Sequence, residues 1–152
     1  MKKLLFTLFL CVSALSSSAQ LKTIDLRANV RGDFGIGAGV TMGVLQYIDF
    51  APSFNYFFTD GGSTWSADAD FHYNIELDDE WELYPLAGGC LVHGRNENHD
   101  TRNKLGIDLG CGVHYYLTDQ VDLFGEIKYP FLIHEDGMSK TYLTIGVSLN
   151  LD

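Results

Sequence analysis

A two-residue period runs along most of the chain after residue 20. Leu105, Ile107, Leu109, Cys111, Val113 and Tyr115 alternate with Gly106, Asp108, Gly110, Gly112 and His114. After the turn Thr118-Asp119-Gln120, Val121, Leu123 and Ile127 alternate with Asp122, Phe124, Glu126 and Lys128. This spacing predicts β-strands with one apolar face. The other face carries glycines and a few ions instead of a coat of lysine and glutamate. A cramped polar interior inside an apolar exterior produces that composition, as in a membrane barrel.

The remaining strands follow the same rule. Strand one is expected over Thr23–Arg31, with Ile24, Leu26, Ala28 and Val30 in the apolar phase and a tight turn at Gly32-Asp33. Strand two, Phe34–Gly43, sets Phe34, Ile36, Ala38, Val40 and Met42 against Gly35, Gly37, Gly39, Thr41 and Gly43. Strand three, Gln46–Phe58, sets Ile48, Phe50, Pro52, Phe54, Tyr56 and Phe58 against Asp49, Ala51, Ser53 and Asn55, and Pro52 implies a bulge or bend. After the loop Thr59–Ser63, strand four, Thr64–Ile75, sets Trp65, Ala67, Ala69, Phe71, Tyr73 and Ile75 against Ser66, Asp68, Asp70, His72 and Asn74. Strand five, Trp81–His93, is less regular; its outward phase is read as Tyr84, Leu86, Cys90 and Val92. The longest loop is expected at Gly94–Asn103. A last loop spans His134–Ser139, and strand eight, Lys140–Leu151, turns Tyr142, Thr144, Gly146 and Ser148 inward. The fold class is all-β: a closed up-and-down antiparallel transmembrane β-barrel of about eight strands.

Alternation alone does not say which face is inside, since a soluble lipocalin-like barrel has the same period around an apolar cup. Three features favour the membrane arrangement. The polar phase is small, as the interior of an eight-stranded barrel requires. The bulky aromatics Trp65, Tyr73, Tyr84, Tyr115 and Tyr129 sit in the apolar phase, where interfacial girdles belong. The small phase holds ions of both signs, Arg27, Arg31, Asp68, Asp70, Asp108, Glu126 and Lys128, which can pair as a lumen charge network.

Length and composition fit this reading. Residues 1–19 have the form of a secretory signal: Lys2 and Lys3, a short apolar core from Leu4 to Leu15, then Ser17-Ser18-Ala19 before Gln20. Residues 20–152 then form one barrel domain. Losing the two lysines takes the net charge from −10 to −12, which disfavours nucleic acid as a partner. Eight strands of about 9–11 residues with short connections account for the mature length. Without an apolar stretch of helix-spanning length past the signal, a membrane reading requires a closed barrel.

The last strand, Thr144-Ile-Gly-Val-Ser-Leu-Asn-Leu151, resembles the C-terminal signal of outer-membrane barrels at Thr144, Gly146, Leu149 and Leu151. That family usually ends on an aromatic residue; here Leu151 stands in its place and Asp152 follows. Leu-Phe-Gly-Glu-Ile-Lys-Tyr, Leu123 to Tyr129, is similar to the penultimate strand of the small outer-membrane barrel family that includes OmpX and the membrane domain of OmpA. The resemblance implies residence in the bacterial outer membrane, contact with outer-membrane lipid and insertion by the outer-membrane assembly machinery. Both termini would lie in the periplasm, with the loops after Arg31, Phe58, His93 and Ile133 outside. The surface ligand is unknown from sequence.

Chemistry is sparse. Some barrels of this size modify lipid A, but a deacylase of that kind is expected to carry a His-x-Ser pair, which this sequence lacks. Ser139 near His134 is the nearest nucleophile and base. His72 and His114 should point inward near Asp70 or Asp108, as hydrogen-bonded lumen histidines and not metal ligands. No cofactor is expected. If strands five and six form a hairpin centred near residue 100, Cys90 and Cys111 sit roughly opposite one another. A disulfide could then close between them; the other reading is two small apolar residues facing lipid. The expected function is a non-enzymatic structural or surface-interaction barrel. The alternatives are a lipid A-modifying enzyme and a soluble lipocalin-like binder.

Overall fold

The computed structural model describes residues 20–96, 98, 101–132 and 141–151. The signal segment, His99, His134, Ser139 and Lys140 lie outside them. The described residues form nine strands: β1 (Gln20–Val30), β2 (Phe34–Leu45), β3 (Ile48–Thr59), β4 (Gly62–Tyr73), β5 (Ile75–Glu76), β6 (Trp81–Asn96), β7 (Thr101–Tyr116), β8 (Val121–Leu132) and β9 (Tyr142–Asn150). Successive long strands pair antiparallel. β1 pairs with β9 and β4 with β6, so the eight long strands close on themselves and β5 is an added two-residue ladder on β6. Closure leaves no open edge among the long strands, which is the condition for a sheet to sit in hydrocarbon. Among the described residues no helix is long and apolar enough to cross a membrane.

The apolar phase faces out. Leu26, Ile36, Phe54, Phe71, Ile107 and Ile145 are all exposed, Ile145 at 63 %, whereas Lys128 is exposed by 1 % and Asp108 by none. That distribution is the reverse of an apolar cup, and it overturns the lipocalin-like alternative. The end carrying Gln20 and Leu151 is here termed the terminal end, where the Leu151 N–H donates to the Lys22 carbonyl at 2.9 Å. The opposite, distal end carries the β1–β2, β3–β4 and β6–β7 turns.

Inward glycines are explained by what faces them. Gly35 pairs with Phe57, Gly37 with Asn55, Gly112 with Tyr84 and Gly146 with Phe124. A Cβ on Gly35 would lie 2.7 Å from the Phe57 ring, and one on Gly112 would overlap the Tyr84 ring. Each bulky inward side chain therefore occupies volume that a glycine across the ladder leaves free. Two other glycines serve turns: Gly32 and Gly61 have φ of 83° and 74°.

Several expectations change. The β3–β4 loop contracts to two residues, because Thr59 already pairs with Gly62. The expected ten-residue loop at 94–103 is mostly strand, since β6 runs to Asn96 and β7 starts at Thr101. Pro52 produces no register change; pairing passes from Gly39–Ser53 to Met42–Phe50 in step, and the irregularities fall at Leu21/Thr23 and Gly43/Leu45. The phase assigned to strand five is inverted. Tyr84, Leu86, Cys90 and Val92 are buried in the lumen, while Leu83 and Leu91 face out. Both phases of this strand are apolar, so hydropathy does not orient it. Tyr84 consequently leaves the expected girdle. Tyr73 and Tyr129 are exposed on the outer wall, and Trp65 and Tyr115 lie half-buried there. Trp81 packs on Tyr115 at 4.7 Å toward the terminal end, and Phe54 stacks on Trp65 at 5.5 Å toward the distal end.

Candidate functional site

Among the described residues, the strands bring buried ionisable groups together in the lumen, in two neighbouring clusters. In the first, Arg27 of β1 forms an ion pair with Glu126 of β8. Tyr84 of β6 donates its hydroxyl to the other Glu126 oxygen at 3.0 Å, and the Arg27 guanidinium lies 5.3 Å from the Phe124 ring centroid. Glu126 is thereby gripped from two sides, and Arg27 gains a cation–π face. In the second cluster, Lys128 Nζ lies 2.8 Å from Asp70, 3.2 Å from Asp68 and 3.9 Å from Asp108. Asp68 Oδ2 also accepts from Tyr142 at 2.8 Å and Asn55 at 3.0 Å. A hydrogen-bonded chain runs on from Asn55 through Asn29 to Thr144, at 2.8 and 2.6 Å.

Parity brings these groups together. Glu126 and Lys128 are two apart on β8, as are Asp68 and Asp70 on β4, so each pair shares the inner face. Glycines make the room: Gly110 lies opposite Lys128, and Gly88 lies opposite both Asp70 and Asp108. Buried ions lose hydration, and only close opposite charges and donors offset that loss. Arg31 occupies the turn after β1 at the distal mouth, half-buried, and attracts Asp108 from a longer distance.

Below these clusters, toward the terminal end, His72 and His114 flank the Tyr84 ring at centroid distances of 4.5 and 4.8 Å. His114 also packs against the Phe124 and Tyr116 rings, and its Nδ1 has no hydrogen-bond partner among the described residues. At the mouth itself a cavity of about 200 Å³ is lined by Lys22, Asp49, Asn74, Glu82, His114 and Tyr116, among others. Lys22 and Asn74 each reach Asp49 at 2.6 Å.

The two cysteines do not meet. Cys90 pairs with Gly106 and is buried in the lumen; Cys111 pairs with Pro85 and is exposed on the outer wall. The disulfide expectation fails because the hairpin is centred on residue 98, so residues of like parity pair across it, and the even-numbered Cys90 and odd-numbered Cys111 fall on opposite faces. Among candidate catalytic groups, His93 contacts Asn103 at 2.5 Å and stacks on Trp65 at 5.0 Å. The His134 and Ser139 pair lies outside the described residues.

Residues missed as network members at the sequence level are Asn29, Asn55, Tyr84, Tyr142 and Thr144. Parity already marks four of them as inward. Tyr84 had no such mark, because both phases of its strand are apolar.

No protein-family model matches the chain, and no curated protein matches it. Among solved structures, the N-terminal β-barrel domain of Pseudomonas aeruginosa OprF superposes with a TM-score of 0.76 at 15 % identity, covering 88 % of this chain and 98 % of that one. The chain has the fold of the small outer-membrane β-barrels. Neisserial surface protein A gives a TM-score of 0.64 at 16 % identity, over 88 % of this chain and 99 % of that one. Ail, the attachment invasion locus protein of Yersinia pestis, in complex with the heparin analogue sucrose octasulfate, gives 0.57 at 10 % identity, over 88 % and 97 %. At these identities the likeness concerns the barrel architecture.

Proposed function

We propose that the chain is a non-enzymatic outer-membrane β-barrel with a structural or surface-interaction role. The observation that carries this reading is the apolar wall surrounding a charged lumen filled by Tyr84, Lys128, Asn29, Asn55 and Thr144, all fully buried. Side chains fill the interior of a barrel this narrow, which favours a rigid pillar over a wide pore. In this reading residues 1–19 export the chain, and Thr144, Gly146, Leu149 and Leu151 present the last strand to the assembly machinery. Outer-membrane lipid surrounds the wall, and the distal turns meet the exterior. Fractionation of the envelope tests it. The protein should sediment with the outer membrane and migrate differently on a gel before and after boiling; recovery in the soluble fraction without detergent would refute it.

A second reading, capture of anionic surface glycans, is favoured by Arg95 and Arg102, both exposed at the distal ends of β6 and β7. Binding of sucrose octasulfate that disappears in the Arg95→Ala/Arg102→Ala variant would support it; equal binding by that variant would count against it.

A further inference from the structure

We propose that Asp68, Cys90 and Asp108 form a buried site for a thiophilic divalent cation of the Zn²⁺ class inside the barrel. The proposal rests on the barrel fold and is independent of any surface role. Three adjacent strands, β4, β6 and β7, deliver the three side chains, and their ligand atoms lie within 4.8 Å of one another. Asp68 pairs with Cys90 across the β4–β6 ladder, and Cys90 lies two residues from Gly88, which pairs with Asp108. Two neighbouring ladders, β4–β6 and β6–β7, thus assemble the cluster.

Asp108 supplies a separate observation. It is fully buried, and among the described residues the Cys90 thiol is the donor set against it; no N–H or hydroxyl reaches either carboxylate oxygen, and the nearest cation, Lys128, stands off at 3.9 Å. The Oδ1 atoms of Asp68 and Asp70 are also without partners, because Lys128, Tyr142 and Asn55 all engage Asp68 on Oδ2, and Lys128 engages Asp70 on Oδ2. Lys128 thus contacts one side of the carboxylate group and leaves another side unengaged. If all three carboxylates are ionised, they exceed the one ammonium by two negative charges, with Arg31 acting only from farther off, and buried charge of one sign requires a counter-charge.

Protons are the competing counter-charge, with the Cys90 thiol then acting as a donor to Asp108. A thiol among the same oxygens favours a metal that accepts both donor types. Two carboxylates, one thiolate and one water complete a tetrahedral Zn²⁺ set, with ligand atoms about 3.3–3.7 Å apart, a modest contraction of the present cluster. On binding, the Cys90 S–H proton leaves to solvent and the sulfur lone pair bonds the metal.

The test refolds the full mature chain in detergent with Co²⁺ and removes free metal on a desalting column. The expected result is one Co²⁺ retained per barrel, with a near-ultraviolet thiolate-to-cobalt charge-transfer band. Cys90→Ser should abolish the band and Asp108→Asn should lower retention at least tenfold, while Cys111→Ser, altered on the lipid-facing wall, keeps both. Should a lumen variant fail to fold, the unaltered barrel decides: its thermal unfolding midpoint should rise with Co²⁺ and fall back with a chelator. A folded barrel that retains no metal, a midpoint insensitive to Co²⁺, or a band that survives Cys90→Ser would each overturn the proposal. The first two would leave protons as the neutralising species.

Discussion

Removing both members of the Arg27–Glu126 pair should destabilise the barrel by less than the sum of removing each alone. Arg27→Met leaves the Glu126 carboxylate 3 % exposed, with the Tyr84 hydroxyl at 3.0 Å still donating to it, and it also removes the face packed on Phe124. Glu126→Gln leaves a guanidinium whose Nε already has no partner inside the same enclosure. Stripping one ion from a buried pair costs about 3–5 kcal/mol, because the survivor stays desolvated without its counter-charge. The double variant Arg27→Met/Glu126→Gln carries no stranded charge, so its loss should be smaller than the sum of the two single losses by about 2–3 kcal/mol. Urea unfolding of the detergent-embedded barrel, followed by the shift between folded and unfolded gel bands, measures each variant. With a slope of about 2 kcal/mol per molar, each single variant should lower the midpoint by about 1.5 M or more. The reasoning is refuted if the single losses stay below about 1 kcal/mol, or if the two add within about 0.5 kcal/mol in the double variant.

Other expectations follow from the same geometry. Gly110→Ala should abolish or strongly reduce the folded band, because a Cβ there would overlap the Ile127 carbonyl oxygen; Gly89→Ala, whose nearest atom would be 3.8 Å away, should fold normally. A barrel unaffected by Gly110→Ala would contradict the inward packing. Ile107→Arg, placed on the wall where Ile107 is 52 % exposed, should cost about 2–4 kcal/mol in bilayers by the same unfolding assay; a neutral result would mean that this wall does not face lipid. A small maleimide should label Cys111 in the folded barrel and reach Cys90 only after unfolding, read by peptide mass; labelling of Cys90 in the folded barrel would contradict its burial.

How much of this was legible in the sequence depended on contrast between the two faces of each strand. β4 and β8 were legible because Ala69 and Phe71 contrast with Asp68 and Asp70, and Leu123 and Ile127 contrast with Asp122 and Glu126. The wall, the inward glycines and the ions of the lumen all follow from that contrast. β6 was not legible, because Leu83, Ala87 and Leu91 outside are no more apolar than Tyr84, Leu86 and Val92 inside. Its orientation is set by neighbours: Tyr84 has space only over Gly112, and Gly88 only against Asp70.

The cysteines show why parity and pairing are different kinds of information. Whether a residue faces in or out can be read from one strand where its two faces contrast. Which residues meet is fixed by the register of eight strands around a closed ring, and one odd displacement in a hairpin exchanges the faces of everything beyond it. A β6–β7 hairpin centred between residues 100 and 101 would set Cys111 opposite Cys90, and an outward Cys90 would put both toward lipid; the hairpin centred on residue 98 separates them and gives Cys90 other neighbours. Once Cys90 pairs with Gly106 and faces inward, Asp68 lies across one ladder and Asp108 two residues along the other. The inward group without a donor, Asp108, and the inward thiol then belong to one place in the lumen, which neither strand specifies by itself.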